Sequence, residues 1–485
     1  MADSTKRYIA VDLGATGGKV VLASVAAGTV TTETVHGFSL PRVCIDGREY
    51  WDVYAAFAGV MEGLMSVGSR KVSIESVGID AWGPGIVCLG GDGSFLGLPM
   101  VKDYVLSDAA HTRFFKRLER RQLYEKTGVN VLDSHAALQL YGLRRSRSIA
   151  LEMTRNLLFI PDAMIYLLTG KRVCGYTSLY AAGLVDRNTK KLSKDVLSAC
   201  KVRPRRFPSV VQQGARPARL TEEVAQATGL GRVPVVAVAG HDLASAAAAV
   251  PAAGEGSAFL LAGAVSVLGV ETASPVVNDQ TYEMNFSNEA GAGDINLLVK
   301  RLPGMDLLAR CLAAWRAAGR AYGPEDLARM AREGAPVAAQ LDPEDPALRS
   351  AFAAPFLDPA AALSRYCNLR NMTAPSDDAS IVRLIYTSIA EKIGDTFTKL
   401  QSVTPFRLRS LCIVGEGLPL APGPSGMVTG VSDPVFCQMV ANECAVTVTA
   451  GPADAAVLGN VLVQAGLSRQ ALAASLTLAT YAPVL

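Results

Sequence analysis

Both halves of this chain carry the same device: a strand, a turn of small residues, and a return strand. In the first half the apolar run 8–12 leads into Leu13-Gly14-Ala15-Thr16-Gly17-Gly18-Lys19, and the run 20–25 follows. In the second half the run 257–261 leads into Ala262-Gly263-Ala264-Val265-Ser266, and 267–272 follows. A period of two on both flanks of a small-residue break predicts a β-hairpin each time. A repeat of architecture without a repeat of sequence predicts two related halves. The length of 485 residues agrees, because a single hydrophobic core rarely grows past roughly 250–300 residues. The expected domains are 1–245 and 246–485.

Between these marks the pattern alternates. A third strand is predicted over 29–38, a helix over 54–67, and strands over 72–80 and 85–89. Strands on both sides of a helix indicate an α/β domain with a mixed sheet. Residues 108–200 read as mostly helical, 203–206 as a solvated arginine loop, and 233–239 as one continuous apolar strand. Helices are predicted over 306–318, 324–333, 381–400, 434–441 and 453–464, with strands over 408–414 and 446–450. The stretch 341–376, rich in Pro, Asp and Ala, is expected to be a long surface excursion.

Composition narrows the class. Apolar residues make up 50% and charged residues 19%, as in a well-buried globular protein. A net charge of +3 provides no basic field, so nucleic acid is excluded as a main partner. No apolar run reaches the roughly 18–20 residues of a membrane span, the longest candidate, 233–250, being interrupted by Gly240, His241 and Asp242, and the polar start 1–7 lacks a signal-peptide pattern. The nine cysteines form no CxxC pair and lie mostly in apolar runs, which predicts reduced core thiols and a cytoplasmic setting. The four histidines show no zinc-ligand spacing.

Five segments can carry chemistry. In the first turn, Gly14, Gly17 and Gly18 allow backbone N–H groups to approach phosphate, while Ala15, Thr16 and Lys19 complete the loop. Asp12, at the strand end before it, suits a Mg²⁺ ion held through water. The spacing is neither a Walker A loop nor GxGxxG, and an ordinary hairpin turn fits it too. In Gly240-His241-Asp242 an apolar strand delivers an acid to its end just before an alanine-rich helix. Asp242 there serves either as a helix cap or as the base that takes a proton from an attacking hydroxyl. Gly263 and Ala264, in the second turn, permit close backbone contact with a phosphate. In Asp80-Ala81-Trp82-Gly83 a tryptophan and a carboxylate make a wall for a small polyol, or simply a core. Gly415 and Gly417, with 450–452 and Gly459-Asn460 downstream, are strand-end glycines that admit a nucleoside or mark plain turns.

The order of these pieces resembles the FGGY carbohydrate kinases, and within them the rhamnulokinase group most closely. VDLGATGGKV (11–20) is similar to the family's first phosphate loop, and IDAWG (79–83) to its sugar-side IDTWG. LLFIPDAMIYLLTGK (157–171), PVVAVAGHDLASA (234–246), NEAGAGD (288–294) and AGPADAAVLGN (450–460) follow in family order. The resemblance is collinear from about residue 8 to 465. It implies the actin-like ATPase (ribonuclease H-like) fold: two related α/β domains flanking a deep cleft, sugar held mainly by the first and ATP by the second. It implies phosphorylation of a ketose such as L-rhamnulose, with ATP and Mg²⁺, and Asp242 as base. Gly83, His241 and Asp242 fall on the ketose contacts, with Trp82 and Asp80 beside them. Asp12 and Asp242 fall near the metal. Ala15, Thr16, Gly17, Gly18, Lys19, Gly263, Ala264, Gly415 and Gly417 fall on the nucleotide side.

There are departures. Gly263-Ala264-Val265-Ser266 stands where the group has Gly-Thr-Trp-Ser, so a threonine hydroxyl is missing. Pro84-Gly85 replaces Val-Asp, Arg301 replaces a sugar-side asparagine, and the 415–430 loop is rebuilt. Two other readings stay open at this point: a sugar- or nucleotide-binding protein without turnover, and an ATPase or phosphohydrolase on the same fold.

Overall fold

A computed structural model describes residues 5–83, 85–101, 108–132, 135–251, 254–352, 358–415, 418–419, 427–428 and 433–484. Gly417 and Pro84 lie outside them. The chain forms two compact units. The first collects Met1–Ala249, Glu271–Leu298 and Ala456–Ser475; the second collects Val250–Val270, Val299–Ala455 and Leu476–Leu485.

The first unit is built on a six-stranded sheet. Its strands are β1 (Lys6–Leu13), β2 (Gly17–Ala26), β3 (Thr29–Ser39), β4 (Ser76–Ala81), β5 (Ala218–Arg219) and β6 (Pro234–Val236). They lie in the order β5-β6-β4-β1-β2-β3. β1 runs antiparallel to β2 and parallel to β4, which in turn runs parallel to β6. Helix α1 (Val53–Gly68) begins at Asp52, whose carboxylate accepts from the N–H groups of Tyr54 and Ala55. It lies so close to the sheet that a Cβ at Gly59 would meet Phe38 at 2.4 Å, and one at Gly63 would meet Val20 at 2.3 Å. Alternating residues of β1 and β2 (Tyr8, Ala10, Val21 and Ala23) pack instead against Val457 and Val461 of a helix near the end of the sequence.

The second unit repeats the pattern. The seven-stranded sheet to which it contributes runs Ser287–Ala290, β9 (Asn296–Pro303), β8 (Val265–Thr272), β7 (Ser257–Leu261), β10 (Ser410–Val414), β11 (Thr447–Ala450) and β12 (Ala479–Tyr481). β7 is antiparallel to β8 and parallel to β10, as β1 is to β2 and β4. The 26-residue helix Asp378–Val403 buries Ile381, Leu384, Ile385, Ile389, Ile393, Phe397 and Leu400, an apolar stripe at helical spacing.

Three expectations need correction. Residues 341–376 are not a bare excursion: they contain helices Pro346–Ala351 and Pro359–Leu369, which bury Leu348, Leu363, Tyr366 and Cys367. Two of the three Asp-Pro pairs are helix starts, with Asp345 or Asp358 as N-cap and proline at the first helical position, while Asp342-Pro343 leads into a turn. The strand expected over 233–239 is only Pro234–Val236, because Ala237 exchanges backbone hydrogen bonds with Gly214 and Ala215 instead. Arg206 is not merely solvated: its guanidinium donates to the carbonyls of Leu151 and Glu152, at the end of a short helix. All nine cysteines are free thiols, and only Cys44 is exposed. Among the described residues no helix is long and apolar enough to cross a membrane.

A buried histidine in the first unit makes stability depend on pH. His135 caps the helix Ala136–Arg145, its Nδ1 accepting from the Ala137 N–H. A Cβ at Gly183 would lie 2.2 Å from its Nε2. Burial, and secondarily the charge of Arg120, pushes its pKa down from 6.5 to about 4. Between those values the unfolded chain binds the proton and the folded chain does not, so stability falls as pH drops. The full loss for a shift of this size is on the order of 3 kcal/mol. Thermal unfolding of wild type and His135→Gln between pH 7.5 and 4.5 checks this. The wild-type midpoint is expected to fall more steeply; parallel curves would refute the assignment.

Candidate active site

Parallel strands deliver their last residues to one edge of a sheet, and in the first unit that edge is acidic. β1 ends on Asp12-Leu13 and β4 on Asp80-Ala81, with Asp12 directly paired to Asp80. The segment after β6 joins the row: Ala81 bridges to His241, and its N–H donates to Gly240 O at 3.0 Å. Asp12, Asp80 and the His241-Asp242 pair therefore stand on neighbouring chains.

Each acid has a different environment. Asp12 is partly exposed (18%), and its Oδ2 lies 3.6 Å from Nζ of Lys19, its partner across the β1–β2 hairpin. Asp80 is fully buried. Burial, then the charge of Asp12, holds its carboxyl well above the usual carboxylate range, with Asp242 adding to the effect. Asn460 Nδ2 donates to Asp80 Oδ2 at 2.6 Å, whereas Asp80 Oδ1 is buried with no hydrogen-bond partner among the described residues.

Asp242 opens helix α2 (Asp242–Ala248), and its side chain is 36% exposed. The N-cap of that helix is His241, so capping does not fall to Asp242 alone. The Leu243 N–H donates to Asp242 Oδ1 at 2.6 Å and lies 3.1 Å from His241 Nδ1. The buried imidazole sits between two carboxylates, with Asp242 Oδ1 2.7 Å from Nδ1 and Glu289 Oε2 3.8 Å from Nε2. Glu289 is on the buried strand Ser287–Ala290. A Cβ at Gly83 would meet the His241 ring at 2.9 Å, so glycine is what lets the chain pass there. Trp82 packs its ring 4.6 Å from that of Trp51, and its buried indole N–H has no partner among the described residues. Ser178 and Tyr180, in the buried helix Tyr176–Ala181, also carry hydroxyls without a described partner. Unpaired buried donors of this kind mark where a polar ligand can be received.

The first glycine turn is closed by Gly14 N–H donating to Gly17 O at 2.8 Å, with Ala15 and Thr16 exposed at its tip. Gly17 and Gly18 have a packing reason as well. A Cβ at Gly17 would lie 2.7 Å from Phe38 O, and one at Gly18 2.6 Å from the Phe38 ring.

In the second unit the other hairpin turn has Ala264 and Val265 exposed at its tip. Its carbonyls are held from behind. Gly304 N–H donates to Ala264 O at 3.1 Å and Met305 N–H to Gly263 O at 3.0 Å, just before the helix Asp306–Ala317. Gly415, at φ 101°, follows β10, and a Cβ there would lie 2.8 Å from Ala262 O. Gly451 N–H donates to Ile413 O at 2.7 Å. Gly263, Ala264, Gly415 and Gly451 thus form one edge of small residues. Gly459 and Asn460 are not part of it. A Cβ at Gly459 would lie 1.8 Å from Ser245 O, and Asn460 is bonded to Asp80.

No group of three or more His, Cys, Asp and Glu among the described residues could hold a metal ion by itself. A hard cation that keeps its waters and binds substrate phosphates needs only one or two carboxylates. The partly exposed Asp12 and Asp242 meet that requirement. Sequence reasoning gave no site role to Glu289, Ser178, Tyr180 or Gly304. NEAGAGD held the signal for the first, since a charged residue inside a strand-like run must be paired or functional.

Paired acidic strand ends, with glycine hairpins in two related α/β units, are the architecture of the actin-like ATPase fold. Solved structures agree on the fold. A gluconate kinase from Lactobacillus acidophilus superposes with a TM-score of 0.74 at 16% identity, covering 99% of this chain and 94% of that one. A Plasmodium falciparum glycerol kinase crystallised with ADP gives 0.73 at 13% identity, with the same coverage. The model of the FGGY family of carbohydrate kinases, N-terminal domain, matches residues 7–249. A rhamnulokinase from Bacteroides thetaiotaomicron is 36% identical over 99% of this chain and 96% of its own length. One from Pectobacterium atrosepticum is 29% identical over 94% of this chain and 87% of its own. The chain belongs to the FGGY family of carbohydrate kinases. It is an enzyme that phosphorylates a sugar at the expense of ATP.

Proposed function

We propose that the chain transfers the γ-phosphoryl group of ATP to a hydroxyl of L-rhamnulose or a closely related ketose. The observation that carries this reading is the 36% identity, over 99% of the chain, to a protein named rhamnulokinase. The sugar is assigned to residues 1–245 and the nucleotide to 246–485. Asp242 is the base: it takes the proton of the attacking hydroxyl as that oxygen bonds to the γ-phosphorus and ADP leaves. Its exposure, and its place at the start of a helix next to the strand end that carries Asp80, support this role. His241, between Asp242 and Glu289, fixes the direction of the carboxylate and faces the ketose together with Gly83 and Trp82. Ala15 to Lys19 and the Gly263–Ala264 turn receive phosphate oxygens, and Gly415 and Gly417 border the nucleoside. Asp12 and Asp242 would hold Mg²⁺ through water, and the ion would offset charge on the transferred phosphoryl group. The free, mostly buried thiols favour a cytoplasmic setting.

ADP release from Mg²⁺-ATP, measured over a panel of ketoses and aldoses, tests the proposal. L-rhamnulose is expected to give the highest kcat/KM. A different ketose at the top would overturn the substrate, and ADP release that no sugar stimulates would overturn the kinase reading.

A further inference from the structure

The late helix α3 (Ala455–Ala465) contributes two polar side chains to the sheet face that carries Asp12 and Asp80. They form a continuous buried line. Ser76 Oγ donates to Gln464 Oε1 at 2.7 Å. Gln464 Nε2 donates to Ile9 O at 3.0 Å and to Asn460 Oδ1 at 2.7 Å. Asn460 Nδ2 then donates to Asp80 Oδ2 at 2.6 Å. Ser76, Asp80 and Asn460 are fully buried, and Gln464 is 5% exposed. The line crosses the sheet at Gly78, where a Cβ would lie 2.4 Å from Asn460 Oδ1 and 2.6 Å from Gln464 Nε2. Gly78 is therefore the opening through which the two amides reach the strands.

The polarity of this line is set from its far end. Because Gln464 donates to Asn460 Oδ1, the Asn460 amide can only present its N–H to Asp80. That carboxyl lies on the strand between the one bearing Asp12 and the segment bearing Asp242. We propose that Asn460 is a positioning residue for phosphoryl transfer, holding the Asp80 carboxyl in one orientation so that Asp12 and Asp242 keep their setting. This rests on the assignment of Asp12 and Asp242 given above. Without the Asn460 amide, a buried carboxyl between two acids has no hydrogen bond among the described groups. It must then turn toward a neighbour, and the acid row is rearranged. Gln464 is bonded to Ser76, to Ile9 and to Asn460, so it supports the fold and acts on Asp80 only through Asn460.

The test compares Asn460→Ala and Asn460→Leu with Gln464→Ala, all in the full chain. The leucine variant keeps the branched shape and the number of heavy atoms and removes the amide. The expected result for both Asn460 variants is a loss of roughly tenfold or more in kcat, with KM for sugar and ATP within about twofold. Gln464→Ala removes the group that fixes the Asn460 amide but leaves that amide in place, so it is expected to lower the melting temperature and to cost clearly less kcat than either Asn460 variant. The double variant Asp80→Asn/Asn460→Asp restores a bond of opposite polarity and is expected to recover most of the lost kcat. The inference is overturned if a soluble Asn460 variant keeps wild-type kcat, or if Gln464→Ala loses as much kcat. It is also overturned if the double variant folds and recovers nothing. An inactive wild type would instead count against the catalytic assignment itself.

Discussion

Asp242→Asn is expected to lower kcat by roughly 10²–10⁴-fold, the usual contribution of a positioned general base. The substitution keeps the shape of the side chain, and its amide oxygen can still accept from the Leu243 N–H, which donates at 2.6 Å in the wild type. The start of α2 therefore stays formed, with His241 still the N-cap. What is lost is the ability to take a proton, because an amide is not a base at neutral pH. The KM for ATP is expected to stay within a few-fold, as Asp242 would meet Mg²⁺ only through water and the proposed nucleotide edge belongs to other residues. Steady-state kinetics with melting curves on the same preparations separates the outcomes. A folded variant with more than a tenth of wild-type kcat would remove Asp242 from the role of base.

Gly304→Ala is expected to raise the KM for ATP roughly ten- to hundredfold while leaving the KM for sugar unchanged. A Cβ at Gly304 would lie 2.1 Å from Gly263 O and 2.8 Å from both Ala264 O and Ser266 Oγ. The first two are backbone atoms of the second glycine turn and cannot rotate away. Either the turn or the start of the helix Asp306–Ala317 must shift. Overpacking of this kind costs typically about 1–3 kcal/mol, and each 1.4 kcal/mol, if it falls on the nucleotide-bound state, is about tenfold in affinity. The check is to titrate ATP and sugar separately and record thermal stability alongside. A lowered melting temperature with unchanged KM for ATP would show that the turn carries no nucleotide contact.

These two predictions differ in how far the sequence points to them. The hairpins were legible because alternation and clustered glycines are local signals, and Asp242 was legible because an apolar run ended on an acid before a helix. The family order then joined them. Residues 341–376 misled because Asp-Pro pairs suit turns and helix starts equally well; burial of Leu363 and Tyr366 decides for helices. The tie from Asn460 to Asp80 was not legible at all. It spans 380 positions in the chain, and Gly459-Asn460 by itself looked like a nucleoside-side turn. Gly78 and Gly304 likewise looked like ordinary glycines, because what each accommodates comes from another segment. Glycines whose missing Cβ is filled by a distant residue leave no pattern in one sequence.

The first unit is completed only by Ala456–Ser475, and this has a consequence for biosynthesis. A ribosome delivers the six strands of its sheet by residue 236, yet the helix that covers Tyr8, Ala10, Val21 and Ala23 comes more than two hundred residues later. Until then an apolar sheet face and the buried end of Asp80 have no cover from α3. Such a nascent chain has a surface that chaperones bind and that aggregates when left alone. Stopping translation before the last thirty residues would leave a chain that contains Asp12, Asp80 and Asp242 but has not closed the sheet beneath them.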